Sequence, residues 1–451
     1  MSLFLNSAFV VNLIHLKGSL MKKAAFYTLG CKVNQYETEA MAELFASSGY
    51  EVCDFGEKAD VYVINTCSVT NMGDRKSRQI IRRAKKTNPD AVIAVTGCYA
   101  QTAPDEVLGV DGVNIVIGTK DRKNIVPLVE EINSTSNINH VTDIMNHHEF
   151  EELQIKKYSN RTRAFIKIQE GCNQFCSYCI IPYARGPVRS RPKDEVIKEI
   201  HELASNGFKE IILVGIHVAS YGADLENTSL EDLITEVDKI DGVERIRLSS
   251  IEPMTLNQDF IDKIKGSKKL CHHFHISLQS GCDATLKRMN RKYTTTQFKS
   301  IVDGLRDAFD DVAITTDIMV GFPAETDEEF AETVKFVKDV KFAEAHVFQY
   351  SQRRGTPAAK RPDQISPEIK EKRSKVIIKE TLKTRDEFIN RFIGKTMRVL
   401  FEQPASDGLF EGKTDNYITV HAPSSENLND EFRNVELLEN KNGIVIGKIV
   451  D

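Results

Sequence analysis

Short apolar runs alternate with helix-length segments over the amino-terminal part of the chain. Residues 24–27, 61–64 and 91–95 are apolar throughout, and helical stretches separate them. Apolar runs of this length, without a polar alternation, are typical of parallel strands that are buried on both faces of a sheet. The pattern predicts an open parallel α/β domain over residues 21–134.

The same alternation of strands and helices continues through the middle of the chain. Six strand candidates, separated by segments of helix length, are found at residues 165–169, 211–215, 245–249, 274–278, 313–319 and 345–350. Six βα units in this length favour an incomplete TIM-like barrel that is open on one side, over residues 161–390. In such a barrel the chemistry takes place at the carboxyl ends of the strands.

The strand-like pieces become short and closely spaced near the carboxyl terminus. A helix opens at Ser366, a capping residue followed by Pro367, and runs towards Gly394. Five short strand candidates follow it, at residues 397–401, 409–413, 417–421, 435–438 and 444–449. They predict a small OB-like β-barrel over residues 391–451, so the fold class is α/β with a terminal β-barrel.

Two segments fall outside these units. Residues 135–160 are polar and aperiodic, which predicts a linker. Residues 1–20 form an N-terminal extension whose apolar stretch is interrupted by Asn12 and His15 and is preceded by no positive charge. It lacks the basic region of a signal peptide and is too short to span a bilayer. The sequence therefore predicts a cytoplasmic protein that does not contact a membrane.

Composition and charge narrow the class of protein. At roughly 150 residues per domain, a chain of 451 residues corresponds to about three domains. Its 60 Lys and Arg against 65 Asp and Glu give a net charge of −5, which excludes a uniformly basic nucleic-acid binder but not local basic patches. Nine cysteines, an odd number, fit a reducing compartment and metal ligation better than a disulfide framework.

Three cysteines directly follow the first predicted barrel strand. Cys172, Cys176 and Cys179 have C-x3-C-x2-C spacing, and thiolates so closely spaced can bind three irons of a cubane cluster. The fourth iron is then left without a protein ligand and offers an open site, whereas full cysteine ligation would give a plain electron carrier. Structural zinc is an alternative, but it prefers four closed ligands, and no second cysteine pair lies nearby. Chance spacing of structural cysteines is the other alternative.

Three further cysteines each end one predicted strand of the first domain. Cys31, Cys67 and Cys98 are spaced by 36 and 31 residues, each about one βα unit. Because neighbouring strands lie about 4.8 Å apart, their ends can bring three thiolates together. This rim is where open α/β sheets bind ligands, so we predict a second three-cysteine cluster; three unrelated small residues at strand ends are the alternative. The remaining cysteines share no such arrangement and are predicted to be packing residues: Cys53, Cys271 and Cys282.

The barrel motif carries a resemblance to a known family. A C-x3-C-x2-C loop with an aromatic residue just before its last cysteine, on a six-unit βα barrel, resembles the radical S-adenosylmethionine (SAM) enzymes. The resemblance implies a [4Fe-4S] cluster whose open iron chelates SAM, and a reducing system whose electron cleaves SAM to methionine and a 5′-deoxyadenosyl radical. It also implies that Tyr178 lies against the adenine, and that Gly215, Gln279 and Asp317 help to hold the cofactor. Polar residues at strand ends also often only close a barrel.

Both cysteine triads together narrow the resemblance. A triad on a barrel, a triad on a preceding α/β domain and a terminal β-barrel of the TRAM type resemble the methylthiotransferases, from about residue 21 to residue 451. Residues 28–35 (TLGCKVNQ), 180–186 (IIPYARG) and 346–351 (HVFQYS) are similar to the subgroup that acts on threonylcarbamoyladenosine in tRNA.

This second resemblance implies a reaction and its partners. It implies a second [4Fe-4S] cluster on the first-domain cysteines, a sulfur donor, and a methylthio group added at C2 of N6-threonylcarbamoyladenosine. The target base is at position 37, next to the anticodon, so the anticodon stem-loop of tRNA is the expected partner. The alternatives are isopentenyladenosine in tRNA, an aspartate of a ribosomal protein, or a metal-stabilised RNA-binding protein without activity.

One basic segment of the first domain is a candidate RNA-binding face. Residues 74–86 carry seven Lys or Arg and one Asp, and Arg75, Arg78 and Arg82 recur at helical spacing. A face that tracks phosphates is favoured because acidic partners are nearly absent; a merely solvated basic face is the alternative.

Other charged segments bear on the same substrate. Arg185, Arg189 and Arg191 follow the barrel cysteines and are predicted to hold a nucleic-acid backbone beside the radical site. A third basic group, for which a surface role is equally suitable, consists of Lys287, Arg288, Arg291 and Lys292. Residues 391–451, by contrast, carry seven Lys or Arg and ten Asp or Glu. A terminal barrel that binds tRNA would need a local basic patch. The acidity of this barrel therefore keeps an aspartate of a ribosomal protein as an alternative substrate.

Overall fold

The fold is described by a computed structural model, which covers residues 21–132, 137–153, 155 and 162–450. The predicted N-terminal extension, residues 1–20, lies outside the described residues. Within them, no helix has both the length and the apolarity that crossing a membrane requires.

The first domain is a six-stranded sheet in the order β2-β1-β3-β4-β5-β6, and every pair is parallel. Its strands are β1 (Lys23–Thr28), β2 (Glu51–Cys53), β3 (Val61–Thr66), β4 (Val92–Gly97), β5 (Ile115–Ile117) and β6 (Ile138–His140). Its helices are α1 (Lys32–Ser47), α2 (Asn71–Thr87), α3 (Cys98–Thr102), α4 (Pro104–Leu108) and α5 (Ile125–Glu131). The predicted open parallel α/β domain is confirmed.

Three strands of this sheet are absent from the sequence prediction. β2, β5 and β6 have three residues each, too few to show a period. β6 also lies within residues 135–160, the predicted linker, so that prediction is wrong for residues 138–140. The sheet provides the pairing that the local sequence does not signal.

The central domain is an incomplete barrel. Its strands are β7 (Arg163–Glu170), β8 (Arg189–Ser190), β9 (Glu210–Gly215), β10 (Arg245–Leu248), β11 (His273–His275), β12 (Ala313–Val320) and β13 (Glu344–Gln349). They form a sheet β10-β9-β7-β8 and a sheet β11-β12-β13, joined by the isolated parallel bridges Ile246–Leu270 and Ile251–Ile276. All six predicted strands are present, and the short antiparallel β8 is added to them.

Helices cover the outside of this barrel and share one hydrophobic core with its strands. They are α7 (Lys193–Ser205), α8 (Leu230–Val237), α9 (Gln258–Ile264), α10 (Asp283–Arg288), α11 (Thr295–Ala308), α12 (Asp327–Val340) and α13 (Pro367–Asn390). The short helix α6 (Ile181–Arg185) instead follows the cysteine loop and contacts α3 of the first domain. Capping boxes begin α11 at Thr294 and α12 at Thr326. Ser366 caps α13 as the sequence predicts, since its side chain accepts the N–H of Ile369.

The carboxyl-terminal domain is a closed barrel in the order β14-β15-β16-β18-β17. Its strands are β14 (Thr396–Pro404), β15 (Leu409–Thr414), β16 (Thr419–Pro423), β17 (Phe432–Lys441) and β18 (Ile444–Val450). Two arginines of β10 attach it to the central barrel through main-chain acceptors. Arg245 donates to the carbonyl oxygens of Lys413 (2.9 Å) and Arg398 (2.7 Å), and Arg247 donates to that of Asp415 (3.1 Å).

Candidate functional site

The barrel cysteines lie on the loop that follows β7. The loop leaves the strand through Gly171, whose φ of +78° lies in the left-handed region. The backbone N–H of Cys172 donates to the carbonyl oxygen of Gly186 (3.0 Å), and that of Cys179 donates to Cys176 (3.0 Å). These bonds hold the three thiols on one short turn at the carboxyl end of the strand.

Gly171 is required by the shape of this turn. A Cβ atom added there would overlap the carbonyl oxygen of Pro187, and left-handed φ values disfavour residues other than glycine. We expect Gly171→Ala to lower the free energy of unfolding by roughly 2–4 kcal/mol, measured by urea titration.

The matched control is Gly207→Ala. Gly207 has a similar φ of +94°, but an added Cβ would have no atom within 4 Å. It should therefore lose only about 1 kcal/mol, the cost of the left-handed conformation alone. Equal losses at the two positions would contradict a steric requirement at the cysteine turn.

Burial dominates the protonation of two of the barrel thiols. It raises the pKa of Cys172 to about 11 and that of Cys179 to about 12, and the thiol of Cys176 acts in the same direction on both. The three thiols are thus electrostatic neighbours. Since thiolates are the metal-binding form, metal binding here must release protons.

A buried arginine provides positive charge beside this triad. Nη1 of Arg291 donates to Sγ of Cys176 (3.4 Å), and Nη2 donates to the carboxylate of Glu252 (2.7 Å) and the carbonyl oxygen of Ser277 (3.1 Å). The Arg291 side chain is only 7% exposed. The sequence leaves a surface role open for this residue, and the structure instead places it at the cysteine site.

The first-domain cysteines follow the ends of three adjacent parallel strands, β1, β3 and β4. The strand ends are in close contact, since a Cβ atom added at Gly30 would lie 2.9 Å from Cβ of Cys67. Burial raises the pKa of Cys67 to about 12, and the neighbouring thiols of Cys98 and Cys31 act in the same direction. The three thiols are therefore neighbours at the rim of the sheet.

Asn34 and Arg185 fix the geometry of this rim. Nδ2 of Asn34, on the first turn of α1, donates to the carbonyl oxygens of Leu29 (2.7 Å) and Thr66 (3.0 Å). Arg185 donates to Oδ1 of Asn34 through Nη2 (2.6 Å) and to Sγ of Cys98 through Nε (3.3 Å). Sequence reasoning missed both roles, because nothing in the local pattern indicates contacts between the two domains.

Helix α6 connects the two triads along the chain. It begins at Ile181, two residues after Cys179, and ends at Arg185, which contacts Cys98. The turn that carries the barrel cysteines is therefore followed directly by the helix whose last residue contacts a first-domain cysteine.

The donor sets of both triads suit an iron–sulfur cluster. Among the described residues, no three Cys, His, Asp or Glu side chains surround one position as ligands of a single metal ion. Three neighbouring thiols beside a guanidinium fit the donors of a cluster, which is bound by thiolates and tuned by hydrogen bonds to sulfur. Arg291 supplies that guanidinium in the barrel and Arg185 in the first domain.

Comparisons with known proteins match both of the domains that contain the cysteine triads. A family model described as the Radical SAM superfamily matches residues 166–337, and one described as Uncharacterized protein family UPF0004 matches residues 23–118. The Threonylcarbamoyladenosine tRNA methylthiotransferase MtaB of Bacillus subtilis (strain 168) is 45% identical over 93% of this chain and 94% of its own length. The chain is a member of the radical SAM methylthiotransferase family. It is an enzyme, and as a radical SAM enzyme it uses S-adenosylmethionine and a [4Fe-4S] cluster.

Two more relatives place this methylthiotransferase within the family and the fold. The tRNA-2-methylthio-N(6)-dimethylallyladenosine synthase of Acetivibrio thermocellus is 35% identical over 94% of this chain and 90% of its own length. The solved radical S-adenosylmethionine methyltransferase TsrM of Kitasatospora setae has a TM-score of 0.58 at 14% identity, over 75% of this chain and 74% of its own. The second likeness shows the fold alone.

Two of the residues predicted to hold the cofactor of the methylthiotransferase, Gly215 and Gln279, lie at or after strand ends of the barrel, and Asp317 lies within β12. Gly215 ends β9, where an added Cβ would lie 2.9 Å from Oε1 of Gln169. The N–H of Gln279, a residue with φ +67°, donates to the carbonyl oxygen of Asp317 (2.8 Å). The Asp317 carboxylate lies 3.1 Å from Nε2 of His275, a neighbour that the sequence analysis did not single out. Their contact with a cofactor stays a prediction.

Tyr178 lies within the cysteine turn of the methylthiotransferase. Its ring packs edge-on against Phe322, with 6.4 Å between the ring centroids. Burial raises the pKa of its phenol well above the usual range, so the side chain is neutral. A neutral ring next to the triad is compatible with the predicted stacking on adenine, which stays a prediction.

The three first-domain arginines that are predicted to bind RNA differ in exposure and in their partners. Arg75 and Arg82 are exposed on α2, and neither makes an ion pair within the described part of the chain. Arg78 is partly buried, and its Nη1 donates to the hydroxyl of Tyr99 (2.6 Å) and the carboxylate of Glu106 (2.8 Å). Only the first two are therefore free to contact phosphates.

Arg185, Arg189 and Arg191 do not form an RNA-binding surface. They are 0%, 2% and 0% exposed, and each forms an ion pair with a buried glutamate. The prediction that they hold a nucleic-acid backbone is wrong. The basic side chains that follow the cysteines form ion pairs with carboxylates inside the protein. A count of charges along the sequence does not reveal these pairs.

Arg353 fastens α2 to the mouth of the barrel. It donates to Oδ1 of Asn71 (2.6 Å), Oγ of Ser68 (2.7 Å) and Oδ2 of Asp74 (2.8 Å). Because residue 353 follows the carboxyl end of β13, the exposed face of α2 lies beside the cysteine end of the barrel.

Proposed function

We propose that this methylthiotransferase replaces the hydrogen at C2 of N6-threonylcarbamoyladenosine with a methylthio group, at position 37 of tRNA. The observation that carries the proposal is the link between the two triads through Arg185, which ends the helix after Cys179 and donates to Cys98. A relative named for this substrate, at 45% identity over most of the chain, supports the choice of base.

The two triads are proposed to hold two clusters with separate tasks. Cys172, Cys176 and Cys179 hold a [4Fe-4S] cluster with SAM, and Cys31, Cys67 and Cys98 hold a second [4Fe-4S] cluster. When bound, the first supplies a 5′-deoxyadenosyl radical and the second supplies sulfur. Tyr178, Gly215, Gln279 and Asp317 orient SAM at the strand ends, while Arg291 keeps Cys176 in an electropositive setting.

The chemistry of the substrate explains why a radical site is needed. C2 of an adenine carries no acidic proton and is not activated, so acid–base groups have little to act on. The active-site residues of this chain accordingly bind and orient ligands rather than move protons at C2. The proposal also requires a second molecule of SAM as the source of the methyl group, and two partners, a reducing system and a sulfur donor.

Nucleoside mass spectrometry tests the function directly. tRNA from a strain without the gene should contain N6-threonylcarbamoyladenosine, and tRNA from the complemented strain should contain its 2-methylthio form. A methylthio group appearing only on isopentenyladenosine, or only on a ribosomal-protein aspartate, would overturn the assigned substrate. No methylthio product at all in the complemented strain would overturn the proposed activity.

The exposed face of α2 is proposed to track the phosphates of the tRNA. If Arg75 and Arg82 each neutralise one phosphate, each contact releases counterions on binding. Replacing both with Gln should reduce the slope of log affinity against log salt by about 1.4–1.8, at roughly 0.7–0.9 per contact. The measurement is tRNA binding across a salt series.

Two control variants accompany this test. Arg78→Gln should leave the slope nearly unchanged, because Arg78 is engaged by Tyr99 and Glu106. Lys338→Gln with Lys341→Gln removes two exposed cations at the amino end of β13, away from the cysteines. If the Arg75 and Arg82 variant keeps the wild-type slope, α2 carries only a solvated face.

A further inference from the structure

A buried ion-pair network lies behind the first-domain cysteines and joins that domain to the barrel. Its ion pairs connect side chains that are at most 7% exposed. The members are Glu37, Arg122, Glu151, Lys167, Glu170, Arg185 and Arg189. Residues of both domains are thus held together by ion pairs between buried side chains.

The charges of this network do not balance. Among the described residues it contains four cations and three carboxylates, which leaves one positive charge in excess. Despite burial, Arg122 and Arg185 lower the pKa of Glu37 to about 2, and Lys167 and Arg122 lower the pKa of Glu170 well below its usual range. A buried net charge costs several kcal/mol unless a counter-charge lies close.

Arg185 is the network member that reaches a cysteine. Nη1 donates to Glu170 (2.7 Å), Nη2 to Asn34 (2.6 Å), and Nε points at Sγ of Cys98 (3.3 Å). Its guanidinium therefore has carboxylates on one side and the thiol site on the other. An anionic cluster on the three first-domain thiolates would supply the missing counter-charge.

We propose that Arg185 is a positioning residue of the first-domain cysteine site, a guanidinium contributed by the barrel domain that raises the reduction potential of the cluster held there. The inference rests on the second cluster of the proposed function. Its sign follows from electrostatics: reduction makes a cluster more negative, and an adjacent cation with a hydrogen bond to sulfur stabilises the reduced form.

A chain that carries only this cluster isolates the effect. In the full-length background Cys172→Ala, Cys176→Ala, Cys179→Ala, the midpoint potential of the remaining cluster is measured by redox titration followed by electron paramagnetic resonance. Arg185→Gln should shift the potential downward. Arg185→Lys, which keeps the charge but loses the fork of donors, should fall between Arg185→Gln and the background.

Arg189→Gln is the matched control. It removes the same formal charge from the same network, but Arg189 donates to the carbonyl oxygens of Arg185 and Pro187 and not to a cysteine. Its downward shift should be clearly smaller than that of Arg185→Gln. Equal shifts, or no shift for Arg185→Gln, would overturn the inference.

A second pair of variants guards against misfolding. Arg185→Gln leaves the carboxylates of Glu37 and Glu170 with one donor fewer. The same substitution is therefore also made in a Glu37→Gln background, so that the double variant has lost one charge of each sign. The potential should again be lower with Gln at 185.

The outcomes separate the inference from the proposed function. If no cluster assembles in the background that lacks the barrel triad, both the second cluster and the role of Arg185 are overturned. If a cluster assembles and its potential is the same with Arg or Gln at 185, only the role of Arg185 is overturned.

Discussion

Cys176→Ala is expected to abolish reductive cleavage of SAM while the chain stays folded. Cys176 is 8% exposed and lies in the middle of the barrel turn, next to Arg291. Without its thiolate the barrel cluster loses one of three proposed ligands and Arg291 loses its sulfur acceptor. The loss of 5′-deoxyadenosine formation should exceed the ~100-fold that losing an outer-shell partner can cost. Liquid chromatography of SAM incubated with dithionite measures it.

The buried Cys282 provides the matched control for this variant. It is 2% exposed but lies next to α10, outside both triads. Cys282→Ala should retain SAM cleavage and lose about 1 kcal/mol of stability, like Cys176→Ala. Normal 5′-deoxyadenosine formation by Cys176→Ala would contradict the assignment of the barrel cysteines as the radical site.

Cys67→Ala is expected to separate the two chemistries. Cys67 directly follows β3, the strand between β1 and β4, and both neighbouring thiols raise its pKa. Its loss should remove the proposed second cluster, and iron should fall from about eight to about four atoms per chain, the content of one [4Fe-4S] cluster. 5′-Deoxyadenosine should still form, uncoupled from product, while no methylthio nucleoside appears on tRNA.

Cys53→Ala is the comparison within the same domain. Cys53 ends β2 at the edge of the sheet, and its pKa is raised by burial and by Glu57 rather than by another thiol. This variant should keep both the iron content and the product. Full methylthio product from Cys67→Ala would show instead that the first-domain cysteines are structural.

The sequence predicts those parts of the fold that depend on local pattern. The six barrel strands and the capped start of α13 follow from apolar runs and from Ser366, and both are found where expected. β5 and β6 could not be predicted, because three residues show no period and these strands exist only through their neighbours.

The candidate site follows the same rule. The spacing of Cys172, Cys176 and Cys179 is visible in the sequence because one turn carries all three. The sequence predicts an RNA-binding role for Arg185 and leaves a surface role open for Arg291. Both are buried instead, because exposure depends on which carboxylate the fold brings near. Charge along a chain is a local property, whereas burial of a charge is a property of two segments that meet in space.

The attachment of the terminal barrel has a consequence for its evolution. Arg245 and Arg247 bind main-chain carbonyl oxygens of β14 and β15 and of the turn after β15, and those acceptors persist whatever side chain occupies the position. Substitutions at residue 413 can therefore alter the outer surface of this domain without removing a bond that docks it, whereas the side chains of Asp415 and Arg398 also form ion pairs with Arg245 and Glu244. The main-chain part of this attachment thus sets no requirement on the surface charge of the terminal barrel.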